Sequence, residues 1–424
     1  MVWFMLAGMV VFIALGAPIA IAILAASIGG VVGFTSMPLV VVAQRLVTTI
    51  DSFPLMAVPF FILAGNLMEA GGISRRLVEF AKAVVGGLRG GLACSCVLTC
   101  MIFASVSGSS VATTFAIGAI IIPAMTRHGY PRGFAAALQA TSAELGVIIP
   151  PSIPLILYGV SAEVSIGQLF AAGIGPGLLI AGALTLFVYL RCRRNGWGEG
   201  DHVGRLGLRP ATRQAALALV MPVVIIGGIY RGVFTPTEAS VIAVVYALLV
   251  GTVIYRTITP ADLIGVLRRS VISSAIIMFV IAAAGLFSFL ITRAGVPAAI
   301  GAAIAAAIED PLIFLLAVNA FLFVVGMFIE TSAAIIVLAP ILAPVAASYG
   351  IDPVHFGLVM VVNLALGMIT PPFGVNLFAA CQVADLPLER IVRHLLPFVG
   401  VVVACLAVIT YVPGLTLLFR DLLY

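Results

Sequence analysis

The chain has 424 residues, of which 63% are hydrophobic and only 9% are charged, and its mean hydropathy is +1.27. This composition excludes a soluble globular protein, and long apolar blocks without alternation exclude a transmembrane β-barrel, so we predict an all-α polytopic membrane protein. The net charge of +5 does not indicate nucleic-acid binding, because the Lys and Arg residues lie in short loops between apolar blocks, where they determine topology.

The first distinctive segment is an uncharged run over residues 92–126, interrupted by the hydroxyl-rich stretch SVSGSSVATT at 105–114. As one helix, this run would be about 52 Å long, which exceeds the roughly 30 Å hydrocarbon core of a bilayer. We therefore predict a re-entrant helical hairpin bent at SVSGSS. Such a tip is tolerated at membrane depth only where it is buried in protein or lines a wet cavity. A single Ser would more often be a helix–helix contact, but the clustered hydroxyls favour a ligand-binding tip.

A broken helix is predicted next, at about 134–160, because Pro150 and Pro151 remove two backbone donors inside an apolar span. The freed carbonyls and nearby hydroxyls can serve as ligands for a cation and a substrate. Glu144 lies in the same span. An ionisable residue at this depth indicates a functional site, although its place beside the break is equally compatible with a supporting role.

Glycine and proline residues recur along the chain at a constant offset of 221 residues. Examples are the pairs Pro150 and Pro371, Gly146 and Gly367, and Gly129 and Gly350. Such self-similarity indicates an internal repeat. We predict two homologous halves, 1–195 and 210–424, joined by a charged linker at 196–209.

The second half repeats the elements of the first. A hairpin is predicted at about 311–348, bent near GMFIETS, and a broken helix at about 354–384, interrupted by Pro371 and Pro372. Glu330 lies at the tip of this second hairpin, and no Lys or Arg occurs within ten residues of it. A charge at that depth needs a partner, and a bound sodium ion would supply one.

The charges around the two hairpins have opposite signs. The first hairpin is flanked by the basic residues Arg75, Arg76, Lys82, Arg89, Arg127 and Arg132. The second is flanked by the acidic residues Glu309, Asp310 and Asp352. Basic short loops stay in the cytoplasm, so we predict two repeats of inverted topology, with the linker and the loop RTITPADLIGVLRR at 256–269 on the cytoplasmic side. Arg293 does not fit this pattern. Inverted repeats are typical of secondary transporters.

Four motifs, GSSVATTFAIGAIIIPAM, LGVIIPPSIPLILYG, FTPTEASVIAVVYALL and LGMITPPFGVNLFAA, resemble the large membrane subunit of tripartite ATP-independent periplasmic (TRAP) transporters, the DctM family. The resemblance covers nearly the whole chain. It implies a multi-pass protein of the bacterial inner membrane that imports an organic acid, such as a C4-dicarboxylate or a sialic acid, by a sodium-driven elevator mechanism. It also implies two partners, a small four-helix membrane subunit and a periplasmic substrate-binding protein. Because the chain opens with the first large-subunit helix, the small subunit is expected to be a separate polypeptide.

The resemblance also implies where ions and substrate bind. In the first half the matching residues are Ser105, Ser107, Gly108, Ser109, Ser110, Pro150, Pro151 and Ser152. In the second half they are Glu330, Thr331, Thr370, Pro371, Pro372 and Gly374. Sodium is expected near Ser107, Gly108, Glu330 and Thr370. Many relatives carry Asp where Glu330 stands, which alters the ligand geometry there. No organic cofactor is expected.

Three other functions are weighed against the TRAP subunit. A stand-alone sodium–anion symporter of the same superfamily would need no partners. An intramembrane serine hydrolase would need a base beside its nucleophile, and no histidine lies in the spans that carry the serines. A passive channel would repeat one loop around a symmetric pore, whereas two inverted halves build one asymmetric site. ATP-driven transport is not expected, because the sequence contains no Gly-x-x-x-x-Gly-Lys-Ser/Thr loop.

Overall fold

The computed structural model describes residues 1–198, 207–372 and 374–424. Within these residues the regular structure is helical and contains no strand, which confirms the all-α prediction. Most of the predicted linker, residues 199–206, lies outside the described residues.

The first half contains eleven α-helices in the described residues. They are α1 (Val2–Ala14), α2 (Ile19–Phe34), α3 (Val40–Ile50), α4 (Ala57–Ala70), α5 (Ile73–Val85), α6 (Gly91–Ser107), α7 (Ser110–Arg127), α8 (Arg132–Ala143), α9 (Leu145–Ile148), α10 (Ile153–Ser161) and α11 (Ile166–Asn195). A 3₁₀ turn, Phe53–Met56, precedes α4.

The second half contains ten α-helices in the described residues. They are α12 (Leu208–Tyr230), α13 (Pro236–Leu249), α14 (Pro260–Arg293), α15 (Val296–Ala307), α16 (Pro311–Phe328), α17 (Thr331–Ser348), α18 (Pro353–Met368), α19 (Val375–Ala384), α20 (Leu388–Tyr411) and α21 (Pro413–Leu423). A π-helical turn, Val250–Ile254, follows α13.

The lengths and apolar composition of the helices fit a multi-pass membrane protein. Among the described residues, nine helical segments are long and apolar enough to cross a bilayer. A tenth span is formed if α8, α9 and α10 count as one helix, bent by 43° at the break after Ile148. The membrane-protein prediction is therefore confirmed.

Each predicted hairpin segment forms two helices separated by a short break. The pair α6 and α7 is interrupted at residues 108–109, and the pair α16 and α17 at residues 329–330. Helix starts recur at the sequence offset, since α7 begins at Ser110, α17 begins at Thr331, and 331 − 110 = 221. The two pairs pack differently, however. The arms of the first lie along each other, whereas α16 packs mainly on α18 and touches α17 over only a few residues.

The broken helices lie at the centre of the protein. Every residue of α8 from Gly133 to Ala143 is buried, as is every residue of α18 from Val354 to Met368. Around this core, α4 packs on α13 and α14, while α1 and α2 pack against the later part of α14 in a second, smaller core. The hairpin tips and helix breaks are thus held between a buried centre and an outer layer of helices.

The basic loops lie together at one end of the protein. The guanidinium of Arg76 stacks over the ring of Tyr255 at 3.6 Å, which brings the segment before α6 beside the loop before α14. Gly90, before α6, contacts the side chain of Cys192 near the end of α11. The opposite end of α11 is marked by Gly167, which contacts the Tyr424 hydroxyl. This helix of 30 residues is about 45 Å long and separates the two ends.

Candidate functional site

A cavity of about 500 Å³ lies between the two hairpin tips and the outer helices α4 and α14. Its polar lining consists of Asn66 and Glu69 from α4, Ser107 and Ser109 from the first tip, Ser273 from α14, and Glu330 and Ser332 from the second tip. Apolar residues from α2, α6, α10 and α14 complete the wall. The cavity therefore draws on both halves of the chain.

The first tip is docked against the first helix break. Gly108 ends α6 in the left-handed region, with φ of +62°, and the amide of Ile153 donates to its carbonyl at 3.3 Å. Ser109 then caps α7 by accepting the Ala112 amide at 3.4 Å. The hydroxyls of Ser107 and Thr113 lie 3.0 Å apart. Glycine is suited to this turn because it adopts positive φ without steric cost.

The second tip places a carboxylate at the start of α17. Glu330 is the N-cap residue of this helix, and its Oε2 accepts the amide of Ala333 at 3.2 Å. The Ser332 hydroxyl donates to Oε1 of the same carboxylate at 2.9 Å. A carboxylate in this position is stabilised by the helix dipole and by the otherwise unpaired amides of the first turn. These contacts hold the half-buried Glu330 side chain at the cavity wall.

Residues of the two breaks lie outside the described lining of this cavity. Ser152 is buried and caps α10, accepting the Leu155 amide at 3.3 Å and donating to the Val147 carbonyl at 2.5 Å. Thr370 donates to the Leu366 carbonyl at 2.8 Å. The peptide bonds within both Pro–Pro pairs are cis.

The predicted residues therefore divide into two groups. Those that line the cavity are Ser107, Ser109 and Glu330, whereas Gly108, between the two serines in sequence, is outside the described lining. Those outside its described lining are Ser105, Ser110, Pro150, Pro151, Ser152, Thr331, Thr370, Pro371, Pro372 and Gly374. Two of these residues make contacts away from the described lining. The Thr331 hydroxyl contacts the Met368 sulfur at 2.8 Å, and Gly374 packs on the Thr370 carbonyl. Of the four positions predicted to lie near sodium, Ser107 and Glu330 line the cavity, whereas Gly108 and Thr370 are outside its described lining.

Sequence reasoning missed the residues that α4 and α14 contribute to the cavity. The side-chain amide of Asn66 donates to the Ser270 hydroxyl at 2.8 Å, which ties the two helices together beside the cavity. Glu69 follows one turn later on α4, and Ser273 lies on α14. Asn66 and Glu69 are polar residues in an otherwise apolar span, and that signal could have identified them.

The described lining is suited to a cation. It contains two carboxylates and several hydroxyls but no Lys, Arg or His. Hard cations prefer oxygen ligands of this kind, and Ser107, Ser109, Glu330 and Ser332 supply such oxygens at the cavity wall. An anionic substrate in the same cavity would need a bound cation to offset the two carboxylates, because the lining offers it no basic side chain.

Residues 6–415 match the family model described as the DctM component of the tripartite ATP-independent periplasmic transporter. The isethionate TRAP transporter permease protein DctMQ of Oleidesulfovibrio alaskensis is 43% identical over 409 residues, 96% of this chain, which spans 64% of that relative's length. The C4-dicarboxylate TRAP transporter large permease protein DctM of Rhodobacter capsulatus is 41% identical over 403 residues, 92% of each chain.

A solved structure supports the fold. The crystal structure of the Alcanivorax borkumensis YdaH transporter aligns with a TM-score of 0.64 over 89% of each chain. Its sequence identity of 16% limits this likeness to the architecture.

Proposed function

The chain belongs to the DctM family of large permease subunits of TRAP transporters, and from this membership we propose that it imports a small organic acid by sodium-driven transport. As a member of this family it is a multi-pass protein of the bacterial inner membrane. The cavity between the two hairpin tips is the proposed site for ion and cargo. The observation that carries the sodium proposal is its lining, which combines carboxylates and hydroxyls with no basic side chain among the described residues.

The proposed mechanism is of the elevator type. The hairpins and broken helices would move together as one unit, carrying the cavity past α4 and α14. Two features of the structure support the division into a moving unit and an outer layer formed by α4 and α14. The first tip is bound to the first break through Gly108 and Ile153, and the second tip contacts the second broken helix through Thr331 and Met368. Each tip is thus attached to a broken helix, while Asn66 and Ser270 join α4 to α14 in the outer layer.

The proposed cargo is a small carboxylate, and the proposed partners are a small four-helix membrane subunit and a periplasmic binding protein. One relative is named for isethionate and another for C4-dicarboxylates, so family membership leaves the cargo open among small organic anions. Because the described lining of the cavity has no basic side chain, we expect cargo selection to reside largely in the binding protein.

Reconstitution tests this function. The chain and its small subunit would be placed in lipid vesicles with a sodium gradient, with the binding protein and a radiolabelled C4-dicarboxylate outside. We expect uptake that requires sodium and the binding protein. Unchanged uptake when choline replaces sodium would contradict sodium coupling. Rapid uptake of free cargo by the chain alone would favour the alternative, a stand-alone sodium–anion symporter.

A further inference from the structure

A buried polar chain joins the two halves of the protein. Thr114 of α7 donates to Oδ1 of Asn376 on α19 at 2.5 Å, and Nδ2 of Asn376 donates to Oε1 of Glu144 at 2.7 Å. The same Nδ2 reaches the carbonyl of Ala140 on α8 at 3.0 Å. Thr114 and Asn376 are fully buried, and Glu144 is only 3% exposed. This chain of hydrogen bonds links the first hairpin and both broken helices.

This series of hydrogen bonds has no equivalent at the positions that the 221-residue offset relates to it. The position matching Glu144 in the second half is Ala365, since 144 + 221 = 365, and the position matching Asn376 in the first half is Leu155, since 376 − 221 = 155. Neither can make these contacts. The contact between Glu144 and Asn376 is therefore not part of the internal repeat, and it lies where the two halves of the protein meet.

The neighbours of Asn376 fix the direction of its amide. The Ala140 carbonyl and the Glu144 carboxyl oxygen are both acceptors, so the NH₂ group of Asn376 must face them. Its Oδ1 is left to accept the Thr114 hydroxyl. A metal ion bound at Oε1 of Glu144 would draw the amide oxygen toward it and repel the NH₂ group. The observed contacts therefore leave no place for a cation at Oε1.

The second carboxyl oxygen of Glu144, Oε2, has no group near it among the described residues that would stabilise a negative charge. Oε2 is shielded from solvent and has no hydrogen-bond partner among the described residues. Glu144 is outside the described lining of the cavity between the tips. Among the described residues Glu144 forms no ion pair. A buried carboxylate whose one donor is a neutral amide is strongly disfavoured.

We propose that Glu144 is a proton-binding site, occupied at neutral pH with the proton on Oε2, and that the neutral carboxyl connects the two broken helices through Asn376. A proton adds almost no volume, whereas sodium needs several oxygen ligands and space around it. Protonation on Oε2 leaves Oε1 as the acceptor that the Asn376 contact requires. Binding transfers a proton from hydronium in the bulk water to Oε2, so that one O–H bond of hydronium breaks, one O–H bond forms on the carboxyl, and a water molecule is released. The inference does not depend on sodium coupling.

Infrared spectroscopy of the full chain in lipid nanodiscs tests this directly. The difference spectrum between wild type and Glu144→Gln at pH 7 should show the loss of one protonated-carboxyl C=O band, which shifts in D₂O. Gln is a neutral isostere of the protonated side chain, so the variant should fold and should match the wild-type Tm near pH 4, where the carboxyl is protonated in the unfolded chain as well. Above about pH 4.3 the unfolded chain releases this proton while the folded chain keeps it. The wild type should therefore lose Tm relative to Glu144→Gln as the pH rises to the value at which the band disappears, and the difference should stay constant above that value.

Glu309→Gln is the matched control, since Glu309 is an exposed acid in the loop between α15 and α16 and its replacement should remove a carboxylate band instead. Three results would overturn the proposal. Loss of a carboxylate band in Glu144→Gln would show that Glu144 is ionised. Loss of the wild-type protonated band on adding sodium at constant pH would identify a cation site. Failure of Glu144→Gln to fold would show that a neutral side chain is not tolerated there.

Discussion

Gly108 at the tip of the first hairpin lies directly against the carbonyl oxygen of Pro151 in the first helix break. A Cβ atom added to Gly108 would lie 2.9 Å from that oxygen, which is closer than ordinary van der Waals contact. The absence of a side chain thus allows the tip to dock. The same residue also adopts positive φ, so two separate constraints select glycine at this position.

Gly108→Ala should destabilise the protein and reduce uptake. Left-handed backbone costs an alanine about 1–2 kcal/mol, and the contact with Pro151 should add about 1–3 kcal/mol. Gly129→Ala is the matched control, because Gly129 has φ of +82° but nothing lies within 4 Å of the position that an added Cβ would take. Thermal unfolding of both variants separates the two costs. Equal losses of Tm would mean that the Pro151 contact contributes nothing.

Gly367→Ala should weaken the packing of the second hairpin. Gly367 on α18 and Gly326 on α16 meet backbone to backbone, and a Cβ at either position would overlap the opposite helix. We expect a destabilisation of about 1–3 kcal/mol. Gly400→Ala on α20, where nothing lies within 4 Å of the added Cβ, should be neutral or stabilising by up to about 1 kcal/mol. A Gly367→Ala protein that unfolds like the Gly400→Ala control would contradict the close contact.

Asp352→Asn should lower stability at neutral pH but not in acid. Asp352 caps α18 and pairs with Arg420 of α21 at 2.5 Å. Partial burial raises the pKa of Asp352, but the hydrogen bonds from Arg420, His355 and Val354 and the Arg420 charge outweigh it, so the pKa is lowered overall. A pKa that is lower in the folded state stabilises the folded protein at pH values above the pKa of the unfolded state, about 3.9. This stabilisation is lost as the pH falls through the pKa of the folded state.

Asn can still cap the helix, so this variant isolates the ion pair, which we expect to contribute about 1 kcal/mol. Asp421→Asn is the control, because Asp421 is the more exposed partner of the same arginine. Unfolding midpoints at pH 7 and at successively lower pH should show a gap between wild type and Asp352→Asn that is largest at pH 7, shrinks below about pH 3.9 and closes below the folded pKa of Asp352. A gap of equal size at every pH would assign the effect to packing.

The sequence predicted the repeated elements more completely than it predicted the cavity. Pro150, Pro371 and the uncharged runs mark breaks and hairpins because those features are local to the chain. Asn66 and Ser273 come from helices far apart in sequence, so their meeting depends on packing that no local pattern encodes. The motif also did not predict that the Thr370 hydroxyl donates to the Leu366 carbonyl, although these two residues are only four positions apart.

The end of the protein that carries Arg76 and Tyr255 should face the cytoplasm. Arg256 is exposed at this end, while Glu163 is exposed beside the start of α11 at the other end. Single cysteines would be placed at each position in a chain lacking Cys381, the one cysteine that is not buried. In intact spheroplasts an impermeant thiol reagent should label the Glu163→Cys chain alone, and after lysis it should label both. Labelling of Arg256→Cys before lysis would reverse the predicted topology.

Glu330→Gln should weaken sodium dependence while leaving the fold nearly unchanged. Gln keeps the shape of Glu and can still accept the Ala333 amide, so the cap of α17 is largely retained. What it loses is the charge, which at this depth costs about 2.5–3.5 kcal/mol unless it is paired. If sodium supplies that pairing through a charge-assisted contact of about 1.5–3 kcal/mol, the half-saturating sodium concentration should rise roughly 10- to 100-fold. Most uptake should be lost at ordinary sodium concentrations.

Two further variants separate charge from position. Glu330→Asp keeps the charge and a good capping side chain, so it should be tolerated better than Gln. Ser332→Ala removes the hydroxyl that donates to Oε1 at 2.9 Å but leaves the carboxylate, so it should shift sodium dependence less than Glu330→Gln. Sodium titrations of uptake in reconstituted vesicles would rank the three. Normal uptake by Glu330→Gln, with unchanged sodium dependence, would remove Glu330 from the ion site and leave the cation to hydroxyls and backbone carbonyls.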